Sequence, residues 1–146
     1  MRIGIVSGYF NPIHTGHLDY IEGAKENCNV LYVIVNNDGQ VAHKGSTRFM
    51  DEDSRVRIVG ALRCVDQSIL SIDDNPTVVK TIAHIRKSLM NDPFVESLSF
   101  MNGGDRGDEN TPEANFCEKN GINLIYNIGG RKTESSSTIL KKVKDE

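Results

Sequence analysis

Residues Val30-Leu31-Tyr32-Val33-Ile34-Val35 form an unbroken run of β-branched, aliphatic and aromatic side chains. A strand with one wet face alternates apolar and polar residues. A run without that alternation belongs to a strand covered on both faces, as in a parallel sheet packed between helices. The flanking chain has the elements such a sheet needs. Arg2–Ser7 reads as a first strand, Val65–Leu70 as a third, Leu98–Met101 as a short fourth and Ile122–Ile128 as a fifth. Helical periods lie between them. Leu18, Ile21, Ala24 and Lys25 recur on one face, and Val56, Val59 and Leu62 do so within Asp51–Leu62.

Asp73-Asp74-Asn75-Pro76 reads as an Asx cap with proline at the first helical position, followed by Val78, Val79, Ile82, Ile85 and Leu89. Thr111-Pro112-Glu113 opens another helix, which Asn120-Gly121 closes. Ser135 or Ser136 caps a last one through Lys144, and Asn36 to Thr47 reads as a polar loop. The expected fold class is α/β: one domain over residues 1–146, with a Rossmann-like, doubly wound, five-stranded parallel sheet and helices on both faces.

Composition narrows the partners. A net charge of −3 gives no general attraction to nucleic acid, and no apolar stretch approaches a membrane span. Cys28, Cys64 and Cys117 are odd in number and widely spaced, which suits reduced thiols in a cytoplasmic protein. No Gly-x-Gly-x-x-Gly follows the first strand, so a dinucleotide-binding reading has little support.

The chemistry concentrates where the first strand meets the first helix, at Gly8-Tyr9-Phe10-Asn11-Pro12-Ile13-His14-Thr15-Gly16-His17. In an open parallel sheet that turn lies at the carboxyl ends of the strands, where ligands bind. His14 and His17, three apart, share a helix face. Imidazole donors and the free N–H groups of a helix start together make a cradle for phosphate. Gly16 lets a ligand or a neighbouring backbone come close.

Phe10-Asn11-Pro12-Ile13-His14-Thr15-Gly16-His17-Leu18 resembles the signature of the HxGH nucleotidyltransferases, among them cytidylyltransferases and several adenylyltransferases. The likeness runs over about residues 3–142. It implies that His14 and His17 meet nucleotide phosphates, with Gly8, Tyr9, Phe10, Asn11 and Gly16 lining the nucleotide site. Lys44 falls where the cytidylyltransferase branch carries a phosphate-binding lysine in a loop. His43 beside it has no such counterpart. Asp51 to Asp66 resembles the glycerol-3-phosphate cytidylyltransferase pattern, with Arg55 and Arg63 at the family's spacing. There the residue matching Arg63 reaches the active-site phosphates. From the residues alone, Arg55 equally suits an ion pair with Glu52 or Asp66.

Gly103-Gly104-Asp105 looks like the Gly-Gly-Asp of the heptose-phosphate and glycerol-phosphate branches, which implies ligand contacts from Gly103 and Asp105. Arg131-Lys132-Thr133-Glu134-Ser135-Ser136-Ser137-Thr138 resembles the family's closing Arg-Thr-Glu-Gly-Ile-Ser-Thr-Thr. Lys132 takes the place of its arginine, Arg131 stands beside it, and Ser136, Ser137 and Thr138 face phosphate. Asn11 stands where many relatives have aspartate.

The expected activity is transfer of NMP from an NTP, CTP before ATP, to a small phosphorylated acceptor with release of pyrophosphate. Heptose phosphate, glycerol phosphate and FMN are the candidate acceptors, and cell-envelope precursor synthesis is the setting that the first two imply. Mg²⁺ would bridge the triphosphate, and the resemblance implies a homodimer. The reading from another class is a nucleotide-binding regulatory module without turnover; two retained histidines speak against it.

Overall fold

The computed structural model describes residues 1–104 and 111–129. Its sheet is built from β1 (Arg2–Gly8), β2 (Val30–Val35), β3 (Gln67–Leu70), β4 (Ser97–Met101) and β5 (Asn123–Ile125). The helices are α1 (Thr15–Lys25), α2 (Asp38–Lys44), α3 (Glu52–Gly60), α4 (Val79–Leu89) and α5 (Pro112–Lys119). All strand pairings are parallel, in the order β3-β2-β1-β4-β5. The chain steps outward from β1 to β3, then returns to β4 on the other side of β1. The strand order therefore reverses between β1 and β4, and α/β folds open a binding crevice at such a reversal.

The run at β2 is buried on both faces, as its composition requires. Leu31, Val33 and Val35 join Val6 and Met101 in one core with Ile21 and Ala24 of α1 and Val59 of α3. Ile34 joins Ile5 and Phe100 in a second core with Ile82 and Ile85 of α4 and Cys117 of α5. Helices thus cover both faces, as expected. Thr111 caps α5 by accepting from the Ala114 N–H, with Pro112 in the first turn, and Gly121 at φ 70° follows its end. Among the described residues no helix is long and apolar enough to cross a membrane.

Two expectations need correction. The segment 36–47 is not all loop, because it contains α2. Asn37 and Gln40 form a reciprocal capping box there, and Gly45 at φ 80° ends the helix. The helix after β3 does not start at Pro76; it starts at Val79, and no local side chain caps it. Asp73, 3% exposed, accepts instead from the backbone N–H groups of Lys80 and Thr81 at 2.8 and 3.0 Å. The cap reaches across the intervening turn. The last expected helix, 135–144, lies outside the described residues.

Candidate active site

The β1–α1 turn is folded around Phe10. This residue has φ 51° and is 1% exposed, so its ring lies under the turn. A Cβ on Gly8 would come within 2.8 Å of that ring, which explains the glycine there. The Phe10 ring meets His17 edge-on, with centroids 4.9 Å apart. Gly8 and Phe10 therefore support the histidines from beneath. Phe10 is too buried to line a nucleotide site itself, which corrects the expectation for it.

His14 and His17 close the first turn of α1 upon each other. The Gly16 N–H donates to His14 Nδ1 at 3.1 Å, and the His14 N–H donates to His17 Nδ1 at 3.1 Å. The rings stack with centroids 3.9 Å apart and an interplanar angle of 29°. A neutral imidazole that accepts at Nδ1 carries its proton on Nε2. Neither Nε2 has a hydrogen-bond partner among the described residues. Burial, reinforced by the neighbouring His14, lowers the His17 pKa to about 4. At neutral pH His17 is an uncharged donor beside a second imidazole.

The arrangement also revises the expected cradle. The Gly16 N–H is spent on His14, and the His17 N–H donates to the His14 carbonyl at 3.0 Å. Two Nε2–H groups and the positive end of α1 remain available to an anion at this turn.

Beside the turn lies a cavity of about 260 Å³ lined by Tyr9, Asn11, Lys44, Ser46, Thr47 and Phe49. Lys44, the last residue of α2, holds its Nζ 4.3 Å above the Tyr9 ring centroid. This cation–π contact holds the ammonium beside Tyr9 on the cavity lining. Tyr9 and Lys44 thus share one wall of the cavity, and Lys44 sits at the end of a helix rather than in the expected loop. Asn11 also faces the cavity, but its carboxamide is engaged: Nδ2 donates to the Thr47 carbonyl, and Oδ1 accepts from the Phe49 and Met50 N–H groups.

Arg55 is the residue that sequence reasoning placed least well. It is 1% exposed, and neither Glu52 nor Asp66 pairs with it. Its guanidinium donates to the Tyr9, Asn36 and Met50 carbonyls and to Asp38 Oδ1 at 2.8 Å. One side chain thus ties the β1–α1 turn, the end of β2, the start of α2 and the segment before α3. An arginine one turn into a helix whose partners lie 5 to 46 residues away leaves no local signal.

Arg63 needs the opposite correction. It is exposed and lies in the connection before β3, at the amino edge of the sheet, whereas the histidines stand at the carboxyl edge. Asp66, three residues on, binds the Leu31 N–H at the start of β2 and Lys25 at the end of α1. Within one chain Arg63 does not join the site.

Gly103 follows β4 at the carboxyl edge, with Tyr20 of α1 as its nearest neighbour. The chain after β5 turns back over α1 as well. Gly129, at φ 75°, packs against the Asp19 carbonyl, where a Cβ would come within 3.1 Å. The path leading to the closing motif therefore lies two residues along α1 from His17. Asp105, Arg131, Lys132, Ser136, Ser137 and Thr138 lie outside the described residues.

The cytidylyltransferase-like family profile matches residues 5–142. This chain belongs to the cytidylyltransferase-like family. The expected membership of this family holds. A bifunctional protein HldE of Azorhizobium caulinodans is 30% identical over 139 residues, which are 92% of this chain and 26% of that protein. The chain thus spans about a quarter of the length of that relative. An FAD synthase of Methanocorpusculum labreanum is 30% identical over 120 residues, 82% of this chain and 77% of that protein. Among solved structures, a lipopolysaccharide core biosynthesis protein of Thermoplasma volcanium superposes with a TM-score of 0.61 at 23% identity. That match covers 86% of this chain and 93% of the other, and the likeness is one of fold.

Proposed function

We propose that this chain transfers a nucleoside monophosphate from an NTP to a small phosphorylated acceptor and releases pyrophosphate. The observation that carries the reading is the stacked His14–His17 pair at the carboxyl edge of β1, each ring with Nδ1 engaged and Nε2 without a partner among the described residues. An oxygen of the acceptor phosphate attacks the α-phosphorus in line as the bond to pyrophosphate breaks. A phosphomonoester is already largely ionised near neutral pH, so the step needs no general base. What it needs is alignment and donors for the charge that develops on the transferring phosphoryl oxygens. His17, neutral at neutral pH, meets that charge without a resident cation of its own to desolvate. Lys44, on the wall of the cavity beside Tyr9, would bring its ammonium to the phosphates. Lys132, Arg131 and the Ser136–Thr138 hydroxyls would complete the phosphate contacts from the far end of the chain, with Asp105 and Gly103 toward the nucleoside.

Mg²⁺ would travel with the triphosphate. Among the described residues no group of three His, Cys, Asp or Glu side chains is placed to hold a metal. Such an ion would be carried by nucleotide oxygens and would neutralise the leaving pyrophosphate. The protein would act in the cytoplasm as a homodimer.

CTP is the reading that the family's description favours. ATP is the second, favoured by the FAD synthase relatives, whose product contains an adenylate half. Pyrophosphate release is to be measured with each of four NTPs against FMN, a heptose phosphate and glycerol 3-phosphate. One NTP with one acceptor should give turnover that requires both. Binding of nucleotide without pyrophosphate from any pair would instead identify a regulatory module.

A further inference from the structure

The segment between α2 and α3 is held in an unusual way. Among the described residues, the peptide groups of Thr47–Met50 make no hydrogen bond to other backbone. Their partners are two side chains. The Thr47 carbonyl accepts from Asn11 Nδ2 at 2.7 Å, and the Phe49 and Met50 N–H groups donate to Asn11 Oδ1 at 2.9 and 3.2 Å. The Met50 carbonyl accepts from Arg55 Nε at 3.0 Å. Upstream, Gly45 is left-handed, the Ser46 N–H donates to the Val41 carbonyl at 3.2 Å, and Arg48 reaches Asp38 at 3.1 Å, so the segment is tied at its start while the Thr47, Phe49 and Met50 peptides depend on Asn11 and Arg55. Phe49, 69% exposed, nevertheless lines the cavity together with Tyr9 and Lys44.

We infer that Asn11 is a positioning residue that sets acceptor specificity. Its carboxamide fixes Thr47–Met50, and so holds Phe49 as the wall against which the body of the acceptor lies. The inference rests on the transfer reading above, because it takes this cavity, beside the histidines, as the acceptor's place. The carboxamide donates once from Nδ2 and accepts twice at Oδ1, a set that an ionised carboxylate of the same length, having no donor, does not make. An aspartate would keep the two acceptances and turn an oxygen toward the Thr47 carbonyl. Asparagine here is therefore a clamp suited to this segment rather than a metal ligand that has lost its charge. Arg55 keeps its own grip on Met50 when Asn11 is changed, so the fold should survive the substitution.

The test uses the full chain with Asn11→Ala and Asn11→Asp. Amide hydrogen exchange at Phe49 and Met50 should accelerate about tenfold in Asn11→Ala, the scale of one lost hydrogen bond. With whichever of FMN, heptose phosphate or glycerol 3-phosphate the wild type turns over, the acceptor KM should rise about tenfold, while the nucleotide KM stays within about twofold. Asn11→Asp should raise the acceptor KM without changing the Mg²⁺ concentration for half-maximal rate. Unchanged exchange in Asn11→Ala, an equal rise in nucleotide KM, or a lower Mg²⁺ requirement in Asn11→Asp would each overturn the inference. If the wild type turned over none of the acceptors, the transfer reading would fail, and the exchange measurement would still decide whether Asn11 is a clamp.

Discussion

Replacing His14 or His17 by alanine lowers turnover by roughly 10²–10³-fold, the scale of removing one transition-state donor. The nucleotide KM changes much less, because the charge these donors meet grows on the way to the transition state. A second substitution separates chemistry from folding. His14 is also the N-cap of α1, through Nδ1 and the Gly16 N–H. Losing a side-chain cap costs about 1 kcal/mol of stability. Asparagine caps helices well, but its side chain is too short to replace Nε2–H. His14→Asn should therefore match His14→Ala in lost activity and exceed it in stability. Near-normal turnover in either alanine variant would remove the histidines from the reaction.

Replacing Arg55 by alanine destabilises the protein by about 3–5 kcal/mol, the range for breaking a buried ionic hydrogen-bond network. The loss takes donors from three carbonyls at once and vacates a fully buried volume. Asp38 is not stranded, because Arg48 also reaches it at 3.1 Å. The cost therefore comes from the carbonyls and the void more than from an orphaned carboxylate. Arg55→Lys should recover only part of it, since one ammonium cannot span four acceptors in fixed directions. The urea midpoint measures this. A loss below about 1 kcal/mol would mean that the four segments hold one another without the guanidinium.

Much of the frame was legible because burial writes itself into local pattern. Val30–Val35 was read without error, since a strand covered on both faces leaves no polar position. Thr111-Pro112 located α5 because capping and proline chemistry act within a few residues. The misses share one physical cause, action at a distance in sequence. Asp73 caps α4 from seven and eight residues away, so Pro76 looked like a start that it is not. Helix α2 has only Val41 and Gln40 buried, too little for an apolar period, although Asn37 and Gln40 carried a capping signal that was there to find. At the site, the histidines were plain from their spacing. The four bonds of Arg55 and the three of Asn11 depend on which loops the sheet brings together. Arg63 followed the motif's spacing, yet a helix carries the chain from one edge of the sheet to the other, and spacing alone does not say at which edge a residue arrives.

Two imidazoles with Nδ1 occupied and Nε2 free carry the proposed transfer, and nitrogen-15 NMR of the histidine side chains reads that hydrogen-bonding state directly. At pH 7 both rings should show protonated Nε2 and bare Nδ1. His17 should stay neutral on acidification until about pH 4. The unfolded chain binds this proton near pH 6.5, so between the two values it holds more protons than the folded one, and His17 makes stability fall as pH drops through that window. Adding Mg²⁺ with the active NTP should shift both Nε2 resonances and leave both Nδ1 resonances in place. A ring found protonated at Nδ1 in the free protein, or Nε2 signals that ignore a saturating nucleotide, would contradict the central claim that these two histidines are the phosphate donors of a nucleotidyl transfer.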